Sequence, residues 1–295
     1  MTTKRARSPS PPTPPPSTHV SPQCNTFATC GWVCIPTLLS PSELRVLQSE
    51  CSALYAHESA ESIATQGCVL DGMAQCPMRD SDLARVDSSC YLQARTKQLK
   101  SKFVDVEMFA SLLFEKLPAI AGQLMASCDM FFFNEHYVVK PPRSHVEFRW
   151  HRDDDEQLAM CVHRDEIPPY VSAWCALDDV AEVNGALQFV SLDAFSGSDE
   201  ENLKCHASEP VAAKAGDVLF FLSNVWHYSS SNESDGPRRA FYAQYSRERI
   251  TARPKDPSPL SFAIPCRGLS LVSVKDECTM NGSGRMIKKI KHNVE

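Results

Sequence analysis

His151, Asp153 and His227 are the residues whose types and spacing point to chemistry. In Trp150-His151-Arg152-Asp153 an imidazole and a carboxylate stand two positions apart. On a strand, residues i and i+2 face the same side, so the pair can reach a single ion. The spacing alone is not selective. His163-Arg164-Asp165 repeats it, and His145-Val146-Glu147 is its glutamate form. A third donor stands at the end of the apolar run from Val218 to Trp226, where His227 closes a strand pattern. That is a place where a side chain can leave a barrel wall and enter its mouth. Two imidazoles and one carboxylate, with further coordination positions open, are the donor set of non-haem Fe(II) oxygenases. A structural zinc site calls for four closed ligands, usually including thiolates. The competing reading of His227 is a hydrogen-bonded core histidine.

Arg238 follows His227 by eleven residues and opens the run Arg239-Ala240-Phe241-Tyr242-Ala243-Gln244-Tyr245. A guanidinium binds a carboxylate through two parallel hydrogen bonds. A diacid that chelates iron at one end needs such a group at the other. A surface arginine is the alternative, and Arg239 next door illustrates it. A cupin-like zinc enzyme would use both histidines and leave Arg238 without a purpose.

The elements that must position these groups fall in two blocks. From Met130 onward, short β-rich runs recur at Phe131–Val139, Tyr170–Leu177, Ala186–Val190, Val218–Leu222 and Arg239–Tyr245. Turn-forming stretches such as Lys140-Pro141-Pro142, Asn184-Gly185 and Asp235-Gly236-Pro237 separate them,. Many short strands with no helical period between them predict a closed or sandwiched antiparallel architecture. Upstream, Ser40-Pro41-Ser42-Glu43 carries a helix start, with Ser40 as cap, Pro41 at the first position and Glu43 completing a capping box,. Phe103 to Met125 has apolar residues at helical intervals and predicts one or two helices broken near Pro118,. Residues 59–100 sustain no period and predict short helices and loops. The fold class is therefore α+β with a mainly β core: a jelly-roll-like barrel over about 130–246, supported by N-terminal helices. Regular structure is expected from near Gly31, with residues 23–250 forming one domain.

Residues 1–22 are rich in Pro, Ser and Thr and predict a disordered tail,. Residues 251–295 form a C-terminal extension, expected to be partly ordered. Over 295 residues the formal charge is −6, so the body lacks the basic surface that nucleic-acid binding needs,. The basic groups Lys4, Arg5, Arg7, Lys288, Lys289 and Lys291 sit at the ends, as solvated tails or, alternatively, a nuclear signal. Thirteen cysteines with no Cys-x-x-Cys pair exclude a zinc ribbon and suit a reducing compartment,. The N-terminus has no apolar signal core, and no window reaches membrane-spanning length,. No peroxisomal tripeptide closes the chain, which ends Asn293-Val294-Glu295,. These features predict a cytoplasmic protein.

Several of these stretches together resemble the phytanoyl-CoA dioxygenase family. They are Ala215-Gly216-Asp217-Val218-Leu219-Phe220-Phe221 through His227, Pro237-Arg238-Arg239-Ala240, Gln244-Tyr245-Ser246, and Val171-Ser172-Ala173-Trp174 through Asp179 into Asn184-Gly185. Trp150-His151-Arg152-Asp153 stands at the expected place upstream of the tryptophan strand, and Gly31-Trp32-Val33 resembles the family's start. The likeness covers roughly residues 30–250. It implies a double-stranded β-helix, a cupin-like barrel, with Fe(II) held by His151, Asp153 and His227. It also implies 2-oxoglutarate as co-substrate, with its distal carboxylate on Arg238. Ser229 and Trp174 would be further co-substrate contacts, and Lys140 a candidate for the same pocket. His163 lies eleven residues before Trp174 against twenty-three for His151, and the family's spacing favours His151.

Two departures stand out: Arg152 replaces a frequent glutamine, and Ser191-Leu192-Asp193-Ala194 replaces a frequent Pro-Gly-Ser-His. The implied reaction consumes O2 and 2-oxoglutarate, hydroxylates a small-molecule or acyl substrate, and releases succinate and CO2. The family's halogenases leave the aspartate position open, so Asp153 implies hydroxylation. The rival readings are a side-chain hydroxylase acting on a protein, and an inactive barrel kept as an interaction module through its proline-rich tail.

Overall fold

The computed structural model describes residues 22–56, 58, 69–70, 87–99, 105–155, 168–194, 197–249, 263–266, 278–280 and 286–288. The expectations for residues 1–21, for most of 59–86 and for most of 251–295 lie outside the described residues, as do His163 and Asp165.

Regular structure starts earlier than expected. Helix α1 (Pro22–Cys30) precedes strand β1 (Trp32–Ile35) and seats Phe27 in the core. Helix α2 (Pro41–Tyr55) begins as the sequence predicts. Glu43 N–H donates to Ser40 Oγ at 3.3 Å, and the Ser40 N–H donates to Glu43 Oε2 at 2.6 Å. Next come β2 (Val69–Leu70), α3 (Ser88–Leu99) and α4 (Val106–Ser111). A π-helical turn (Leu112–Lys116) then runs directly into α5 (Leu117–Leu124). Pro118 therefore does not break the helix. It follows directly on the wider π turn, and upstream the Leu113 carbonyl accepts from the Tyr245 hydroxyl at 2.9 Å,.

The remaining elements are β3 (Met130–Lys140), β4 (Phe148–His151), β5 (Val171–Ala176), a 3-10 turn (Glu182–Asn184), β6 (Leu187–Phe189), α6 (Glu200–His206), β7 (Val218–Leu222), β8 (His227–Ser229), β9 (Arg238–Ser246) and β10 (Ile264–Cys266). A separate antiparallel pair joins β11 (Cys278–Met280) to β12 (Met286–Lys288). A large antiparallel sheet runs β1-β7-β5-β9-β3-β10, with β2 also on β3, and a small sheet runs β4-β8-β6.

Alternation along the central strands defines three layers. On β5, Ala173 and Cys175 join the helices; so do Val218 and Phe220 on β7, and Phe241, Ala243 and Tyr245 on β9. Their neighbours Trp174, Ala176, Leu219, Phe221, Ala240 and Tyr242 face the small sheet and meet Leu187 and Phe189. Burial on both faces explains why β5 lacks polar alternation,. The fold is a double-stranded β-helix with a helical layer on the outer face of its large sheet.

The helical layer is held by charge as well as apolar contact. Arg95 of α3 donates to Glu135 Oε1 at 2.6 Å and to Glu50 Oε2 at 2.9 Å, and its guanidinium lies 3.8 Å from the centre of the Phe109 ring. Tyr91 donates to Glu135 at 2.5 Å, and Tyr137 donates to Glu50 at 2.7 Å. Burial alone would lower the pKa of Arg95, but Glu135 and Glu50 raise it well above the usual value. Arg95→Ala would leave two buried carboxylates facing each other. Removing one partner from a buried ionic cluster costs about 3–5 kcal/mol. Chemical denaturation should register that loss, with Arg95→Lys recovering only part of it.

Candidate functional site

β4 ends at His151, and residues 153–155 begin a helical turn. His151 and Asp153 thus do not share a strand face, as the simple period-two argument assumed; a turn brings them together. The Asp154 N–H donates to the Ser223 carbonyl at 3.2 Å and pins that turn to the end of β7. His227 starts β8 and pairs in register with His151. One donor atom from each of His151, Asp153 and His227 lies within 4.8 Å of the other two. The two imidazole centroids are 4.1 Å apart.

Backbone carbonyls set the histidine tautomers. His151 Nδ1 lies 2.6 Å from the Arg149 carbonyl, and His227 Nδ1 lies 3.1 Å from the Val225 carbonyl. A carbonyl oxygen can only accept, so each Nδ1 carries a proton and each ring presents Nε2 on its other side. His227 packs on Phe221 (4.9 Å) and Phe189 (6.1 Å). Burial, with His151 beside it, pushes its pKa down to about 4 against the pull of Asp153. At neutral pH it is an uncharged donor, the form a metal ligand requires. Its Nε2 lies 3.6 Å from Asp153 Oδ1, too far for a hydrogen bond,. Two imidazole nitrogens and one carboxylate oxygen fit Fe(II) and leave further coordination positions open,.

A second cluster lies where β3, β8 and β9 meet the Asn184-Gly185 turn. Lys140 Nζ donates to Ser229 Oγ at 2.7 Å, to the Ser229 carbonyl at 2.9 Å and to the Ser230 carbonyl. Arg238 Nη2 donates to the same Ser229 Oγ at 2.9 Å and to the Gly185 carbonyl at 3.1 Å. Its guanidinium lies 5.3 Å from the centre of the Trp174 ring. Both cations are buried, Lys140 at 0 % and Arg238 at 1 % exposure. Thus Lys140, Ser229, Trp174 and Arg238, dispersed in sequence, converge on one buried cluster. Arg239 points the other way and forms a forked pair with Asp178 at 2.6 and 2.9 Å. The rival triplet is also resolved: His145 and Glu147 are exposed, and Glu147 accepts from the Tyr228 hydroxyl at 3.3 Å.

Sequence reasoning missed several residues here. Ser172, Tyr242 and Gln244 contact Asp153. His136 of β3 stacks on Tyr242 with ring centres 4.7 Å apart, and burial lowers its pKa to about 4. Asn232 is fully buried and donates to the carbonyls of Lys140, Pro141 and Gly236 at 2.9–3.0 Å, tying the end of β3 to the turn before Arg238. Parity carried the signal for two of them, since residues 238, 242 and 244 share a face of β9.

The model of the phytanoyl-CoA dioxygenase family matches residues 27–240, and the chain belongs to that family. It is a 2-oxoglutarate-dependent oxygenase, and the His151, Asp153 and His227 cluster fits an iron site. Among solved structures it resembles the epimerase SnoN from nogalamycin biosynthesis in complex with Fe3+ and alpha ketoglutarate. There the identity is 20 %, the coverage 79 % of this chain and 85 % of that one, and the TM-score 0.53. The carbocyclase SnoK from the same biosynthesis is similar at 19 % identity, with 82 % and 90 % coverage and a TM-score of 0.53. EctD from S. alaskensis, solved with 2-oxoglutarate and 5-hydroxyectoine, is similar at 19 % identity, with 81 % and 80 % coverage and a TM-score of 0.53. At these identities the likeness concerns the fold. No curated protein matches the sequence. No helix among the described residues is long and apolar enough to cross a membrane.

Proposed function

We propose that His151, Asp153 and His227 hold Fe(II), that Arg238 with Lys140, Ser229 and Trp174 holds the distal carboxylate of 2-oxoglutarate, and that the enzyme hydroxylates a small molecule. The observation that carries this reading is the presence of both clusters in one fold: two histidines and one carboxylate within reach of a single ion, and a buried cluster in which two cations converge on one serine. Like charges brought together out of water repel, and a bound carboxylate relieves that repulsion. Bound Fe(II) and 2-oxoglutarate supply O2-dependent decarboxylation, giving succinate and CO2 with transfer of one oxygen atom to a C–H bond. The chain's own contribution is positional. The carbonyl-bound Nδ1 atoms aim both imidazoles, the aromatic wall around His227 excludes water, and the Lys140–Arg238 pocket fixes the co-substrate at its far end.

The catalytic unit in this reading spans residues 23–250. A reducing compartment such as the cytoplasm is supported by the buried thiols of Cys51, Cys175 and Cys266, none of which is in a disulfide,. The test is Fe(II)-dependent conversion of 2-oxoglutarate to succinate by the purified chain in the presence of metabolite fractions. A product heavier by one oxygen atom, formed in step with succinate, is the expected result. Iron and co-substrate binding without any succinate would refute the catalytic reading.

Gly185 supplies a prediction at the pocket's wall. Its φ of +82° is a left-handed conformation, and an added Cβ would strike the Ser230 carbonyl and come within 3.2 Å of Lys140 Nζ. Gly185→Ala carries about 1–2 kcal/mol of backbone strain and displaces Lys140. Equilibrium titration should show weakened 2-oxoglutarate binding with Fe(II) affinity kept.

A further inference from the structure

Asp153 is treated asymmetrically by its surroundings. Oδ2 accepts from Ser172 Oγ at 2.7 Å, from Gln244 Nε2 at 3.1 Å and from the Tyr242 hydroxyl. Oδ1 faces His227 Nε2 at 3.6 Å and, among the described residues, accepts no hydrogen bond. A carboxylate taken out of water for structural reasons would have donors on both oxygens, because each bare lone pair costs free energy. Here the residue is 6 % exposed and all its side-chain donors sit on Oδ2, which leaves Oδ1 as the oxygen open toward His227.

The donors come from adjacent rows of the large sheet. Asn134, Gln244 and Ser172 lie opposite one another across β3, β9 and β5, and His136, Tyr242 and Trp174 form the next matching row. Asn134 Nδ2 donates to Gln244 Oε1 at 2.8 Å, which turns the glutamine NH2 toward Asp153. Gln244 also donates to Ser172 Oγ at 3.1 Å, so the serine hydrogen is directed to the carboxylate. The histidines belong to the small sheet, whereas Asp153 is oriented entirely by the large one.

We propose that Tyr242, Ser172 and Gln244 are positioning residues that commit Asp153 Oδ2 to the protein, so that Oδ1 alone reaches iron. This rests on the ligand assignment above. A one-oxygen carboxylate donor keeps open a coordination position that a two-oxygen donor would fill. Three charge-assisted hydrogen bonds also fix the carboxylate in place before the metal arrives, so losing one costs affinity.

The test uses Co(II), whose visible spectrum reports coordination number, titrated into the apo-forms of wild type, His227→Ala, Tyr242→Phe and Ser172→Ala. Unfolding curves of the same samples without metal record whether each variant folds. Tyr242→Phe and Ser172→Ala are expected to bind Co(II) about tenfold or more weakly and to change its absorption spectrum, as Asp153 turns to offer both oxygens. His227→Ala should lose the metal altogether. If both variants match wild type in affinity and spectrum, the positioning role is wrong while the ligand assignment stands. If His227→Ala binds Co(II) as wild type does, the ligand assignment fails and the positioning role falls with it.

Discussion

Asp153→Ala is expected to weaken metal binding by more than about 100-fold, above the 10–100-fold usual for residues that only support ligands, and to abolish 2-oxoglutarate turnover. The substitution deletes one of three donors that meet within 4.8 Å. It also leaves the Tyr242, Ser172 and Gln244 donors without their shared acceptor. The fold has reason to survive, because a buried carboxylate is itself costly and its loss offsets those orphaned donors. Isothermal titration with Fe(II) under nitrogen, beside a thermal melt of the apo-form, separates loss of the site from loss of the fold. Substrate hydroxylation at the wild-type rate with iron still bound would contradict the assignment.

Arg238→Ala is expected to weaken 2-oxoglutarate binding by about 100-fold while leaving Fe(II) binding within a factor of a few. Hydrogen bonds to charged groups contribute about 1.5–3 kcal/mol each, and each 1.4 kcal/mol is tenfold in affinity. Arg238→Lys should not restore the loss, since an ammonium lacks the planar fork. Lys140→Met should produce a smaller defect in the same direction, because Lys140 reaches the pocket as a point charge beside Ser229. The contrast with Arg239 is a built-in control. Arg239→Ala removes a pair with Asp178 on the opposite face of β9 and should leave co-substrate affinity unchanged.

The candidate site was largely legible in the sequence where a residue's identity announces its chemistry. His151, Asp153, His227 and Arg238 could be named from donor type, strand patterning and resemblance, and Ser229, Trp174 and Lys140 from the resemblance alone. Their convergence could not be derived, because it depends on pairing between distant strands. The reason offered for His151 and Asp153 also differed from the one found. They meet across a strand-to-helix turn pinned by Ser223, a contact no local period encodes. Ser172 and Gln244 look like ordinary strand residues until register sets them opposite each other.

Among the helices, α2 was plain because its capping box is local. Helix α3 was hidden for the opposite reason: its inward face includes Arg95, and a buried arginine satisfied by Glu50 and Glu135 breaks the apolar period that marks a helix,. Pro118 misled because the rule against internal prolines takes no account of a π turn just upstream.

In the proposed enzyme one iron site and one co-substrate pocket act together. This is tested most directly by anaerobic titration of the apoprotein with Fe(II) and 2-oxoglutarate, followed by visible absorption. A weak charge-transfer band that appears only with both present, vanishes in His227→Ala and weakens in Arg238→Ala is the predicted result. No band in the wild-type protein, with no tight metal binding, would contradict it.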